Sequence, residues 1–304
     1  MCRFLGYVGT SVLLENFLYE PDSSLLKQAV EPQQLGMLNL AGFGLVAWDQ
    51  GSHMPDVPFT YRSPQVAVFD RNLRNLARKI RTSAFVAHLR GVPYESSVEI
   101  NEQNVHPFLF EGLRLAVAHN GELASFLEMR FDLLEHIRPS VARRLRGSTD
   151  SEWIYALIVS ALADASEPLR ADDILRAIAS TINTLRRVRD RLGIRRSSSV
   201  NLVACDGTNL LATRFVFDFG CYDETPSRAG VEYLSQWYTV GRDYGFHESE
   251  WKMIGGPADA DSIIVASEPL TRDVSTWIEV PEYSALVVSN AHERRAVQIS
   301  AIDI

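Results

Sequence analysis

The shortages in this 304-residue sequence narrow its class first. It has three cysteines, Cys2, Cys205 and Cys221, an odd number with no metal-type spacing. That argues against a disulfide framework or a zinc module and fits a reducing compartment, so a cytoplasmic location is expected. No apolar run approaches the roughly 20 residues that span a bilayer, and no basic stretch leads into an apolar one at the N-terminus. Neither a membrane association nor a secretory signal is therefore expected. Positive charge is in deficit, with 30 Lys and Arg against 38 Asp and Glu, which argues against nucleic acid as a partner. There is no glycine-rich turn between strand and helix of the kind that holds a dinucleotide or nucleoside triphosphate. No histidine pair with a carboxylate has metal spacing, so neither metal nor cofactor is expected. Repeats, low-complexity segments and linkers are also missing, and residues 1–304 read as one domain.

What is present is an ordinary globular composition, 46% apolar and 22% charged, enough to bury a substantial core. Residues 3–8 read as a buried strand ended by Gly9. Ser11 reads as a cap for a helix over 12–19, and residues 42–48 as a glycine-bearing strand before a polar loop over 50–58. Asp70 caps a helix over 71–81 whose arginines line the solvated face. Strands follow over 83–89, ending at Arg90, and over 113–118, ending at His119-Asn120-Gly121. Helical patterns cover 122–137, 150–165 and 171–192. Strands then return over 200–205, 209–217, 233–240, 261–266, 275–280, 285–288 and 296–302. Strands, helices and strands again give an α+β layering.

Several residues could carry chemistry. Cys2 opens the chain's first strand, and removal of Met1 would leave a thiol and an α-amine on one residue. An adjacent amine is one way to activate a weak nucleophile; the two groups ordinarily titrate at about 8.5 and about 7.7–8.0, close enough to share a proton. Taken alone, the same cysteine reads as an incidental terminal residue, the commoner case near a chain end. Arg90 at a strand end suits a carboxylate, or a surface ion pair. Asn120 and the Gly121 N–H form a donor pair for an oxyanion, while Asn-Gly is also a strong turn signal. In Gly147-Ser148-Thr149-Asp150-Ser151-Glu152, Thr149 and Glu152 form a capping box. Asp150 then either complements the helix dipole or takes a substrate ammonium. His106, in Asn104-Val105-His106-Pro107-Phe108, could orient or polarise a ligand, or be a plain loop histidine.

Taken in order, Met1-Cys2-Arg3-Phe4-Leu5-Gly6, the His88-Leu89-Arg90 strand end, Asn104 to Phe108, Ala118-His119-Asn120-Gly121-Glu122 and Gly147 to Glu152 resemble the class II glutamine amidotransferases. These belong to the N-terminal nucleophile hydrolases. The closer likeness is to stand-alone, γ-glutamyl hydrolase-like members, and the stretch Val265-Ala266-Ser267-Glu268-Pro269-Leu270-Thr271 shares it. The resemblance implies a four-layer α/β/β/α sandwich and a Cys2 attack on a γ-glutamyl amide through a thioester. It implies an oxyanion held by Asn120 and Gly121, with Arg90 and Asp150 on the substrate α-carboxylate and α-ammonium and His106 among the binding residues. The substrate would be glutamine or a small γ-glutamyl compound. A glutaminase subunit feeding ammonia to a separate synthetase, and a silent binding subunit, stay open beside it. The chain departs from the pattern at Pro93, where many relatives carry threonine, and at Leu40-Ala41. Tyr94 and Ser96 are candidates to replace the lost threonine contact.

Overall fold

The computed structural model describes residues 2–34, 37–92, 98–221, 235–291 and 294–302. Pro93, Tyr94, Ser96 and the start of the strand expected over 233–240 lie outside them. In chain order the elements are β1 (Arg3–Leu13), α1 (Glu15–Leu18), β2 (Phe43–Trp48), β3 (Phe59–Ser63), α2 (Arg71–Ala77), β4 (Arg81–Leu89) and β5 (Ala116–Glu122). Helices α3 (Phe126–Leu134), α4 (Pro139–Ala142), α5 (Asp150–Ala161) and α6 (Ala171–Leu192) come next. Then follow β6 (Ser198–Cys205), β7 (Leu210–Arg214), β8 (Val216–Phe217), β9 (Trp237–Gly241), β10 (Asp243–His247) and β11 (Glu250–Ile254). The series closes with β12 (Ser262–Ala266), β13 (Ile278–Glu279), β14 (Ser284–Ala291) and β15 (Arg294–Ala301).

Two antiparallel sheets face each other. One has the order β13-β9-β12-β1-β4-β2-β3, the other β15-β14-β7-β6-β5 with β8 beside β6. Side chains alternate between the faces of a strand, so each sheet feeds two cores. Between the sheets lie Phe4, Val8, Val86, Ile263 and Val265 of the first and Ala116, Ala118, Val203 and Leu286 of the second. Leu5, Tyr7, Phe85 and Ala87 point outward, onto α1, α2 and the β10–β11 hairpin. On the far side, Val117, Leu202 and Leu211 pack beneath α3, α5 and α6. The result is the four-layer α/β/β/α sandwich. The sheets approach closely at Gly6, where a Cβ would sit 2.7 Å from Val203 Cγ1.

Several expected boundaries moved. The helix expected from Val12 is strand, because β1 resumes pairing with β4 after an irregularity between Val8 and Val12, setting Val12 opposite Thr82 and Leu13 opposite Arg81. Only Glu15–Leu18 is helical; tertiary pairing outweighs the Ser11 cap signal. The helix expected from residue 122 starts at Phe126, because β5 carries its pairing with β6 through Glu122. The helix from Asp70 ends at Ala77, since Arg81 already belongs to β4. Over 275–280 only Ile278–Glu279 is strand. Strand β3 and the β10–β11 hairpin had no expectation behind them; both are short and largely half-exposed, and their apolar patterns are correspondingly thin.

Candidate active site

Antiparallel pairing brings distant residues to one rim. Arg3 lies opposite Leu89 and Leu5 opposite Ala266, so the start of β1 meets the ends of β4 and β12. Cys2, half-buried, is therefore set beside Gly91. Its Sγ accepts the Gly91 N–H at 3.3 Å and faces the Gly91 carbonyl oxygen at 3.4 Å. Strand alternation gives Cys2 the face of Phe4 and Val8, which is the gap between the sheets. Arg3 points the other way. It is 2% exposed and pairs with Glu268, itself 1% exposed, at 3.4 Å. Its Nη1 also donates to the Cys2 carbonyl at 3.1 Å. Glu268 in turn accepts the backbone N–H groups of Gln33 at 3.3 Å and Gln34 at 2.9 Å.

Arg90 is buried at the end of β4, with the Cys2, Asp150 and Glu99 side chains near enough to bear on its charge. Burial pulls its guanidinium pKa down, and those three groups act against that shift. Its Nη1 donates to the Glu99 carbonyl at 2.7 Å. Asp150 opens α5 just after the cap Thr149, whose hydroxyl accepts the Glu152 N–H. The capping box is thus half-formed, because the Glu152 carboxylate reaches back past Thr149 to the Arg146 and Gly147 N–H groups. Asp150 accepts from the Leu123 N–H at 2.7 Å and the Ser151 N–H at 2.8 Å, which fixes the carboxylate near the end of β5. Asn104 binds the same turn from the other side. Its Nδ2 donates to Ser148 Oγ at 3.0 Å and its Oδ1 accepts the Ser148 N–H at 2.9 Å.

On the facing sheet, Asn120 shares the inter-sheet face of Ala116 and Ala118 and is buried. Its Nδ2 faces Ser267 Oγ at 3.3 Å. Neither Asn120 nor Gly121 forms a turn; both are strand residues, paired with Asn201 and Val200. Gly121 must lack a side chain, since a Cβ would meet the Ser199 carbonyl oxygen at 2.1 Å and His119 Nε2 at 2.6 Å.

His106 is no surface loop residue. It is buried against His88, ring centroids 4.1 Å apart, and its Nδ1 accepts the His119 N–H at 3.4 Å. His119 bridges Ser151 Oγ at 2.8 Å and the Ser199 carbonyl at 3.0 Å. Burial lowers the pKa of all three histidines, that of His88 to about 3. The His106 carbonyl oxygen sits where a Cβ of Gly44 would be, 2.0 Å away. Cys2, Arg90 and Asp150 thus gather at one rim, Asn120 and Gly121 end a strand of the facing sheet, and His106 lies beneath. Ser267, Glu268, Arg3, Glu99 and Asn104 escaped the sequence reading, because their partners are remote in sequence or are backbone groups. All but Glu99 stood inside the motifs quoted for the likeness, with no role attached to them. Among the described residues no three His, Cys, Asp or Glu side chains are grouped to hold a metal ion, and no helix is long and apolar enough to cross a membrane.

Solved structures share the architecture. A glutamine aminotransferase class-II domain protein from Silicibacter pomeroyi superposes with a TM-score of 0.59 at 21% identity, covering 98% of both chains. The glutamine phosphoribosylpyrophosphate amidotransferase from B. subtilis superposes with a TM-score of 0.58 at 17% identity, all of this chain covering 50% of that one. Among curated proteins, a probable glutamine amidotransferase of Saccharomyces cerevisiae is 26% identical over 95% of this chain and 82% of its own length. A gamma-glutamyl-hercynylcysteine sulfoxide hydrolase of Mycobacterium tuberculosis is 28% identical over 40% of this chain, a match that spans about half (49%) of that relative. The model of the family described as glutamine amidotransferases class-II matches residues 39–216. The chain belongs to the class-II glutamine amidotransferases, enzymes that hydrolyse amides on the N-terminal nucleophile hydrolase fold.

Proposed function

We propose that the protein hydrolyses the side-chain amide of glutamine or a small γ-glutamyl compound, with Cys2 as nucleophile once Met1 is removed. The observation that carries this reading is the placement of buried Arg90 beside both Cys2 and Asp150. A cation and an anion at one site, Arg90 and Asp150, match the two charged ends of an α-amino acid. In the reaction the thiol proton passes to the α-amine of Cys2, and sulfur attacks the amide carbon. The oxyanion is held by Asn120 and the Gly121 N–H, a type of contact worth about two to three orders of magnitude in rate. The α-ammonium returns a proton to the departing amine as the C–N bond breaks, leaving a γ-glutamyl thioester. Water then adds to the thioester carbon, the C–S bond breaks and glutamate is released.

The whole chain is read as one amidotransferase domain, supported by a shared core between the two sheets. Its three unpaired cysteines support a cytoplasmic setting. A second reading, a glutaminase subunit that hands ammonia to a separate synthetase, is compatible with the yeast relative's printed name of probable glutamine amidotransferase. Intact-mass measurement of the cellular protein and assays of wild type and Cys2→Ala on a panel of γ-glutamyl amides test the proposal. The expected result is a Met1-free protein whose hydrolysis falls at least a thousand-fold in Cys2→Ala. Retained Met1 or undiminished hydrolysis overturns it. Glutamine turnover that appears only when a synthetase is added selects the second reading.

A further inference from the structure

The residue that follows β12 joins the two halves of the site. Ser267 Oγ accepts the Phe4 N–H at 3.0 Å and stands 3.3 Å from the Asn120 side-chain amide. The Ser267 backbone is fixed as well, its N–H donating to the Phe4 carbonyl at 3.1 Å and its carbonyl accepting from Ser235 Oγ at 2.6 Å. Phe4 lies two residues from the nucleophile, and Asn120 is on the opposite sheet. One buried hydroxyl therefore spans the gap between them.

Valence decides the direction of the second bond. A hydroxyl has one hydrogen and two acceptor positions, and the Phe4 N–H takes one of the latter. With the Asn120 amide placed nitrogen-first, Asn120 Oδ1 is buried with no partner among the described residues, a costly state for a carbonyl oxygen. The nitrogen and oxygen ends of an amide are nearly indistinguishable in shape and are assigned from their hydrogen bonds. Turning the amide over lets the Ser267 O–H donate to Oδ1, and the Nδ2 hydrogens then take the partnerless place, free to meet a substrate oxygen.

We propose that Ser267 is the positioning residue for the oxyanion donor: by holding Asn120 Oδ1, it aims Nδ2 at the reacting carbonyl. This rests on the cysteine mechanism proposed above and adds a role that touches neither substrate nor nucleophile. Ser267→Ala leaves the Asn120 amide free to rotate, so transition-state contacts weaken while Arg90 and Asp150 still hold the substrate.

The test is kinetic, with the full chain and glutamine or the best γ-glutamyl amide as substrate. Ser267→Ala is expected to lower kcat about 10- to 100-fold with KM and the Ki of product glutamate within two-fold, because a misdirected donor is lost in part. Ser267→Thr, which keeps the hydroxyl, restores most of kcat, and Ser267→Cys, a weak donor that fills the same space, falls between. In an Asn120→Ala background Ser267→Ala costs less than two-fold more. An equal loss in both backgrounds overturns the proposal, as does a rise in KM at constant kcat. If Ser267→Ala does not fold, the Cys variant in the two backgrounds decides in the same way. Cys2→Ala separates the levels. If it stays active, the nucleophile reading fails; if it is dead while the Ser267 and Asn120 effects multiply independently, only the role of Ser267 fails.

Discussion

Replacing Glu268 by glutamine removes a charge and almost no volume, which makes it a sharp probe of how Cys2 is held. The Arg3–Glu268 pair has both members at 2% exposure or less and 3.4 Å between nitrogen and oxygen. At an effective dielectric of about 20, unit charges at that distance attract by about 5 kcal/mol. Glutamine keeps one oxygen for the Gln33 or Gln34 N–H, which softens the loss. About 3 kcal/mol is then expected, the lower end of what breaking a buried pair costs. Unfolding entropy of about 2.1 cal/mol/K per residue amounts to about 0.64 kcal/mol/K for 304 residues, so Tm should fall by about 5 °C. Because Arg3 also donates to the Cys2 carbonyl, kcat should drop more than KM rises. Calorimetry and steady-state kinetics on Glu268→Gln, on Arg3→Met and on the double variant give the coupling. It should be about 2 kcal/mol or more. A coupling below about 0.5 kcal/mol, or an unchanged Tm with unchanged kcat, refutes the assignment of the pair as the anchor of the strand that begins beside Cys2.

Other consequences follow from the same geometry. His88 is neutral in the folded protein down to about pH 3, while an unfolded histidine takes up its proton near 6.5, so stability is full above that pH and falls as pH drops below it. The slope for His88 alone is about 1.4 kcal/mol per pH unit; urea midpoints between pH 7 and 5 should show it, and His88→Gln should flatten the curve by one proton. Asn104→Ala breaks two hydrogen bonds to Ser148 from a buried side chain. It should cost about 2–3 kcal/mol and raise KM, since the turn carrying Asp150 loses its brace; denaturation and kinetics check both. Gly44→Ala places a methyl 2.0 Å from the His106 carbonyl oxygen, which displaces the 98–106 segment and should cost at least about 2–3 kcal/mol in an unfolding titration.

The α+β class and most elements were legible because they rest on local pattern, whereas the four-layer order came from the family likeness. Strand 42–48, helix 171–192 and the Thr149 cap needed only their neighbours in sequence. Cys2, Arg90, Asn120, Gly121 and Asp150 stood out as a set only through the likeness of their motifs, in order, to the family. What stayed hidden depends on register. Whether Val12 continues a strand is settled by Thr82 across the sheet, and no local signal outweighs the serine before it. His106 looked like a loop residue because its burial comes from His88, Phe108 and the glycine beneath its carbonyl, each on another segment or turn of chain. Arg3 and Glu268 carry opposite charges 265 positions apart, and nothing in either neighbourhood indicates the other.

That separation has a temporal consequence. A ribosome makes Cys2 long before Glu268, and β1 has partners on both sides only when residues 262–266 exist. At about 5–20 residues per second, synthesis of the intervening chain takes tens of seconds. Throughout that interval β1 has β4 beside it but lacks β12, and the Ser267 link to Asn120 is missing. On the mechanism proposed above the site is complete only once β12 has been made, so a chain cut short before it should be inactive.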